Sequence, residues 1–482
     1  MFSITGNKDL LLIKTQYVRI KYAPLGLMYV AAAAERNGAK VGILDLSLED
    51  NYKRVLKASL LESHPRLVGI GGMYEEFDEI KRVAAFVKEI LPDVFIVVGG
   101  PIGPSLTLGC LKDKNIDIVA LGEGESLVQD LLCYLQGKIA LSEIKGIAFK
   151  DNAEVSFTGK RPIEDINAMP IPAWHLIDPS RYFQPHDNWF GIDNLKALNI
   201  APSRGCPYSC VFCDKGTFGH KWRGRDPKNI ADEMVLLRDS YGAQAILFAD
   251  DIFDVNKEWA VSFIEEIKLR SVNMYWGCAS RVNLADYELY KKMYDAGCRY
   301  LFFGIEFGSE EMLKVSNKRT TIGQVYQAID SARKAGLRTI GAYMLGMLNE
   351  TEEQINQTVE MALRSRLDVA SATIVTPIAG TPLFDMALRA GKISKDQPWW
   401  RAGRLDAYIN LTKDVSSRRL TYLASKMYWV LFWSRPSRKI PGFICKIMKM
   451  SFFIFSPLSG QRFINLITWF TRLRQKLRLG LP

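Results

Sequence analysis

The stretch KALNIAPSRGCPYSCVFCDKG, residues 196–216, runs from a short apolar segment straight into a loop that holds Cys206, Cys210 and Cys213. The apolar segment reads as a strand. Five more follow it, each separated by room for a helix: AILFAD (245–250), YWGCAS (275–280), YLFFGIE (300–306), TIGAYML (339–345) and SATIVTP (371–377). Strands alternating with helical patterns predict βαβ units and a parallel sheet. Six such repeats predict a partial TIM-like barrel, a (β/α)6 arrangement, because a closed barrel takes eight. Barrel enzymes carry their chemistry on loops at the carboxyl ends of the strands, and the three cysteines occupy the first of these loops.

A second alternating series lies upstream. LLLI (10–13), VGILDL (41–46), LVGIGG (67–72), VFIVVGG (94–100) and IDIVALG (116–122) read as strands. PLGLMYVAAAAERNG (24–38) and FDEIKRVAAFVKEILP (77–92) read as the helices between them. A proline near the start of the first helix and Gly38 at its end match the asymmetry of helix termini. The expected fold is therefore α/β. A doubly wound, Rossmann-like domain spans 1–138, a linker 139–192, the partial barrel 193–395, and a basic, aromatic-rich helical tail 396–482. Prolines at 162, 170, 172, 179 and 185 discourage a long helix in the linker.

With 48% hydrophobic and 24% charged residues, the chain has the composition of a folded globular protein. Five of its eight cysteines are scattered singly, and the first residues lack the basic flank and apolar core of a signal peptide, so a cytoplasmic, reducing compartment is expected. From Val415 onward there are thirteen Lys and Arg and no Asp or Glu; set against the net charge of +11, they leave −2 for residues 1–414. The basic character belongs to the tail, which gives no support to nucleic-acid binding by the body of the protein.

Three thiols in eight positions suit zinc, copper(I) or an iron–sulfur cluster. Zinc wants a fourth ligand, for which His220 is the nearby histidine, but structural zinc sites usually come as two CxxC pairs and no second pair exists. A [4Fe–4S] cluster held by three cysteines leaves one iron open for a small molecule. The spacing Cys206-Pro-Tyr-Ser-Cys210-Val-Phe-Cys213 resembles the radical S-adenosylmethionine (SAM) family. That resemblance implies that SAM chelates the open iron, and that an electron from the cluster cleaves it to methionine and a 5′-deoxyadenosyl radical. An unactivated C–H bond is beyond acid–base side chains, so a cofactor must carry that step. FADDIFDVN (248–256), the segment 277–313, YMLGMLNETEEQ (343–354) and TPIAGTPLF (376–384) are similar to later strands of the same family. Met347-Leu348-Asn349 stands where Pro-Gly is usual. By resemblance Phe212, Ser280, Arg281 and Glu306 contact SAM. Taken singly, Arg281 and Glu306 are equally compatible with ordinary ion pairs of a barrel.

In this family a doubly wound domain ahead of the barrel commonly resembles a cobalamin-binding domain. The residues carrying that likeness lie in 23–45, 70–83, 97–107 and 117–132. Glycines at the carboxyl ends of parallel strands let backbone approach a large planar ligand. Gly71, Gly72, Met73, Gly99, Gly100, Pro101, Gly122, Glu123 and Gly124 are the candidate cobalamin contacts. The DxHxxG motif is absent, and Ile102 sits where many relatives carry histidine. Glycines that merely turn the chain, or a nucleotide site, are the other readings; no GxGxxG follows the first strand and no Walker motif occurs.

The resemblance implies a cobalamin-dependent methyltransferase acting on an unactivated carbon, with radical cyclisation or rearrangement as the alternative within the family. A non-catalytic sensor of cluster and corrin is the alternative of another class. Expected partners are a small, lipid-like substrate and a reductant of flavodoxin or ferredoxin type, with no nucleic acid. The tail is too interrupted to span a bilayer and suits the cytoplasmic membrane surface. Equally, it suits a cover packed over the barrel.

Overall fold

Leu10, Leu11, Leu12 and Ile13 are all buried, which puts their strand at the centre of a sheet covered on both faces. In the computed structural model, which describes residues 4, 6–16, 22–151, 154–185, 187–402 and 408–433, they form β1 (Leu10–Lys14). Parallel strands flank it: β2 (Val41–Asp45) on one side, and β3 (Leu67–Gly71), β4 (Phe95–Gly99) and β5 (Ile118–Ala120) on the other. Helices α1 (Leu25–Arg36), α2 (Tyr52–Ser63), α3 (Phe77–Ile90), α4 (Ile102–Lys112) and α5 (Leu127–Leu135) alternate with them. The face of α1 buried in the core is mostly alanine, Ala31 to Ala34, which lets its backbone lie close to the sheet. Gly38, at φ +84°, ends it.

This sheet extends into the segment read from sequence as a linker. Strands β6 (Ile147–Asp151) and β7 (Glu154–Phe157) form an antiparallel hairpin on β5, giving the order β2-β1-β3-β4-β5-β6-β7. Prolines beyond residue 160 prevent a long helix but leave this hairpin untouched.

The second sheet begins with β8 (Gln184–Pro185), antiparallel to β9 (Lys196–Ile200). A two-stranded pair, β10 (Ser203–Arg204) with β11 (Arg223–Gly224), closes the cysteine loop at its base. Parallel strands β12 (Ala245–Phe248), β13 (Tyr275–Ser280), β14 (Cys298–Glu306), β15 (Arg338–Leu345) and β16 (Val369–Ile374) complete the order β16-β15-β14-β13-β12-β9-β8. The six parallel strands of a curled half-barrel stand where the sequence pattern put them.

By compactness the chain divides into two units, one of residues 1–208, 213–279 and 291–299, the other of 209–212, 280–290 and 300–482. In the first, Asn199 on β9 clamps Ala23, accepting from its N–H at 2.9 Å and donating to its carbonyl at 3.1 Å. Buried Arg225 donates to Glu233 (2.6 Å) and to the Tyr29 hydroxyl (3.1 Å), while the indole of Trp174 donates to Glu233 (2.9 Å). In the second, the helix Ser417–Trp433 packs on β16, with Leu420, Leu423, Ala424 and Met427 buried. The start of the tail is thus part of the core. Residues 434–482, and with them most of the membrane expectation, lie outside the described residues. Among the described residues no helix is long and apolar enough to cross a membrane.

Candidate functional site

Gly205 opens the cysteine loop at φ +80°, and a Cβ there would lie 2.3 Å from the carbonyl oxygen of Lys221. Only glycine lets the chain turn so tightly just before Cys206. Cys206 is buried, and Cys213 is half-buried. Lys215 stands beside them. Burial alone pulls its ammonium pKa down, but the nearby Cys213, Cys206 and Asp251 outweigh this and leave it raised. In the other unit, Arg281 points Nη1 at the Cys210 sulfur, 3.7 Å away. Every cysteine of the motif therefore has a cationic side chain next to it. Three soft thiolates on one loop, each able to serve its own iron, are a donor set that fits a cubane cluster.

All four candidate SAM residues lie in the second unit, with Cys210. Ser280 ends β13 and Arg281 follows it, both 3% exposed, and Ser280 Oγ is 3.3 Å from the Tyr290 hydroxyl. Arg281 also donates to the Lys318 carbonyl and, from Nε, to Asn283 at 2.9 Å. Glu306 sits at φ +69°, an unusual conformation for a non-glycine residue, and accepts from Lys318 Nζ at 2.8 Å. Strain of this kind persists only where the surroundings enforce it. Phe212 is held by its neighbour: the Val211 N–H donates to Ser316 O (3.0 Å), and the Leu383 N–H donates to Val211 O (2.9 Å). Lys318, buried and paired to Glu306, stands at the candidate SAM site and was not singled out from the sequence. Its signal was faint: a lysine in VSNKRT, five residues past the segment 277–313, with nothing local to mark it as buried.

In the first unit, the loops at the carboxyl ends of β3, β4 and β5 enclose a cavity of about 500 Å³. Gly71, Gly72, Met73, Gly99, Gly100, Pro101, Gly122, Glu123 and Gly124 all line it. The Gly72 N–H donates to Gly99 O (3.2 Å), and the Ile102 N–H to Gly72 O (3.3 Å), so two glycine loops are laced together. A Cβ on Gly100, at φ +84°, would stand 3.1 Å from Gly72 O. Leu10, Leu12, Leu27, Ile70 and Val97 make the remaining lining largely apolar, and no histidine is among the lining residues. Glu123 faces the cavity with its carboxylate already engaged by Arg223. An apolar chamber with glycine walls fits a corrin face.

A doubly wound sheet with such a chamber, followed by a half-barrel that opens on three cysteines, defines a cofactor-dependent radical enzyme. The family model of the Radical SAM superfamily matches residues 200–362, and that of the B12 binding domain matches residues 15–132. An uncharacterized methyltransferase of Pyrococcus horikoshii is 32% identical over 434 residues, 88% of this chain and 92% of that protein. The anaerobic magnesium-protoporphyrin IX monomethyl ester cyclase of Rubrivivax gelatinosus is 28% identical over 75% of this chain and 66% of its own length. Among solved structures, the cobalamin-dependent SAM radical enzyme OxsB, with aqua-cobalamin and SAM bound, superposes with a TM-score of 0.75 at 15% identity, over 97% of this chain and 75% of OxsB. The chain belongs to the cobalamin-dependent radical SAM methyltransferase family, whose cofactors are a [4Fe–4S] cluster, SAM and cobalamin.

Proposed function

We propose that this protein transfers a methyl group from SAM to an unactivated carbon of a small apolar molecule. The observation that carries this over cyclisation is extent: the match runs through 92% of the Pyrococcus methyltransferase but only 66% of the cyclase. When bound, the cluster supplies the electron that cleaves SAM, and the corrin supplies a methyl carrier. Cys206, Cys210 and Cys213 would hold the cluster, with Lys215 and Arg281 balancing its charge. Phe212, Ser280, Arg281 and Glu306 would position SAM, Lys318 fixing the carboxylate of Glu306. The glycine loops would hold the corrin. A reductant of flavodoxin or ferredoxin type would feed the cluster.

The test is anaerobic turnover of reconstituted protein with methyl-labelled SAM. Label in the product supports methyl transfer. A modified product without label would replace it with cyclisation or rearrangement, and absence of 5′-deoxyadenosine on reduction would favour a sensor. The basic segment beyond Trp433 is proposed to touch the cytoplasmic membrane face. Ten of the tail's thirteen cations lie there, interleaved with aromatic residues.

A further inference from the structure

Two buried polar atoms on residues that line the cavity have no hydrogen-bond partner among the described residues: Arg204 Nη1 and Thr217 Oγ1. Arg204 is 5% exposed. Its Nη2 donates to Glu125 at 2.5 Å, and its guanidinium lies between the rings of Tyr29 (4.7 Å) and Phe218 (5.1 Å). The group is thus fixed in place, and its Nη1 lies 3.6 Å from Glu123 Oε1, beyond hydrogen-bond distance and already bound to Arg223. Thr217 is held equally close to the glycine loops: its carbonyl oxygen is 3.9 Å from where a Cβ on Gly122 would stand. Buried donors left unpaired are destabilising, and a native fold keeps them where something else completes them. Arg223 Nε is unpaired as well, but Arg223 is not among the lining residues and carries no part of this inference.

Position in sequence gives the pair its meaning. Arg204 lies two residues before Cys206, and Thr217 four after Cys213, so the two atoms bracket the cysteine loop. We propose that Arg204 and Thr217 form a polar clasp for the ligand of the cavity, donating to amide carbonyl oxygens at the edge of the corrin, so that occupancy of the cavity fixes the loop that presents Cys206 and Cys213. The inference rests on cobalamin being the cavity's ligand. A corrin suits the arrangement because its ring is apolar on its faces and fringed with amide side chains, matching an apolar chamber with polar atoms at one corner. By linkage, whatever the clasp adds to corrin affinity it returns as order in the cysteine loop.

The experiment measures binding of hydroxocobalamin to the purified full-length protein by equilibrium dialysis, with hydrogen exchange of residues 204–218 as a second readout. Thr217→Val keeps the shape and removes the hydroxyl, and Thr217→Ser restores it. The expected result is wild-type binding that slows exchange across 204–218, an affinity about tenfold weaker in Thr217→Val, and recovery in Thr217→Ser. Arg204→Lys, which keeps the charge but loses the planar fork, should weaken binding similarly while thermal unfolding shows the protein folded. Wild-type affinity in Thr217→Val overturns the clasp but leaves the cavity reading intact. Equal weakening in the Val and Ser variants assigns the effect to packing and also overturns it. Failure of the wild-type protein to bind cobalamin overturns the cavity reading, and the clasp with it.

Discussion

Asp250, two residues beyond β12, is half-buried, with its carboxylate Oδ1 shielded from solvent. Ser203 Oγ donates to Oδ2 at 2.6 Å, and Oδ1 has no hydrogen-bond partner among the described residues. Burial, with Asp251 and Asp254 adding to it, pushes the Asp250 pKa from 3.8 up to about 7. Below about pH 4 the group is protonated whether the chain is folded or not. Between there and pH 7 the unfolded chain releases a proton that the folded one keeps, so stability falls as pH rises and stays lower above pH 7. The shift corresponds to at most about 4 kcal/mol. Asp250→Asn should therefore gain thermal stability over the wild type at pH 8 and little at pH 4.5; an equal change at both would show that the carboxyl does not titrate in this range. Replacement of Cys206, Cys210 or Cys213 by alanine should each abolish SAM cleavage and the iron–sulfur absorbance with far-UV circular dichroism unchanged, because all three cysteines stand on a loop and none lies in a helix or strand. Cys278→Ala should keep both, since Cys278 is fully buried in β13 and burial pushes its thiol well up. Loss of absorbance in Cys278→Ala with retention in Cys210→Ala would reverse the ligand assignment. The cysteines stood out as candidates because their spacing on one loop is visible in the sequence itself. Lys318 did not: its role depends on a contact with Glu306 made only after a strand and a helix have folded back.

At the scale of elements, the approach of α4 to β5 decides the shape of the cavity. A Cβ on Gly103, in the first turn of α4, would meet the carbonyl oxygen of Ala120 at 2.1 Å. No rotamer relieves a clash with backbone, so Gly103→Ala must push the helix off the strand. The expected cost is about 1–3 kcal/mol, a drop in thermal midpoint of several degrees, with loss of cobalamin retention on gel filtration. Retention of both would show that α4 shifts without disturbing the chamber. Strands such as β1 and β4 were readable from their unbroken apolar runs, the mark of a sheet covered on both faces. The β6–β7 hairpin was not, because prolines nearby dominate the local signal. Its pairing with β5 is a long-range event, and β7 runs exposed, half-buried, half-buried, exposed, with no alternation to mark it as a strand. Glu350 shows a similar limit. It accepts from the Gly346 and Met347 N–H groups, at 2.6 and 2.9 Å, closing a turn where the family's usual Pro-Gly is missing.

For the molecule as a whole, the tail divides into two parts with different physics. The helix Ser417–Trp433 buries Leu420, Leu423, Ala424 and Met427, its Leu420 lies 2.8 Å from where a Cβ on Gly346 would stand, and Arg419 pairs with Glu352. Cutting the chain at Val415 would strip this apolar face from β16, and such a truncation should aggregate rather than report on membranes. Cutting after Trp433 instead removes 49 residues with ten cations and no carboxylate, and leaves every described element in place. A segment that excludes all acidic residues gains about 1 kcal/mol for each basic side chain near an anionic surface, and the attraction fades as salt shortens the screening length. Full-length protein should therefore pellet with anionic vesicles at low ionic strength, pellet less at high salt, and pellet little with neutral vesicles. The form ending at Trp433 should stay in the supernatant throughout while keeping the melting temperature of the full chain. Negligible pelleting of both forms at low salt would remove the membrane from the proposal, and with it the reason to prefer an apolar substrate over a soluble one.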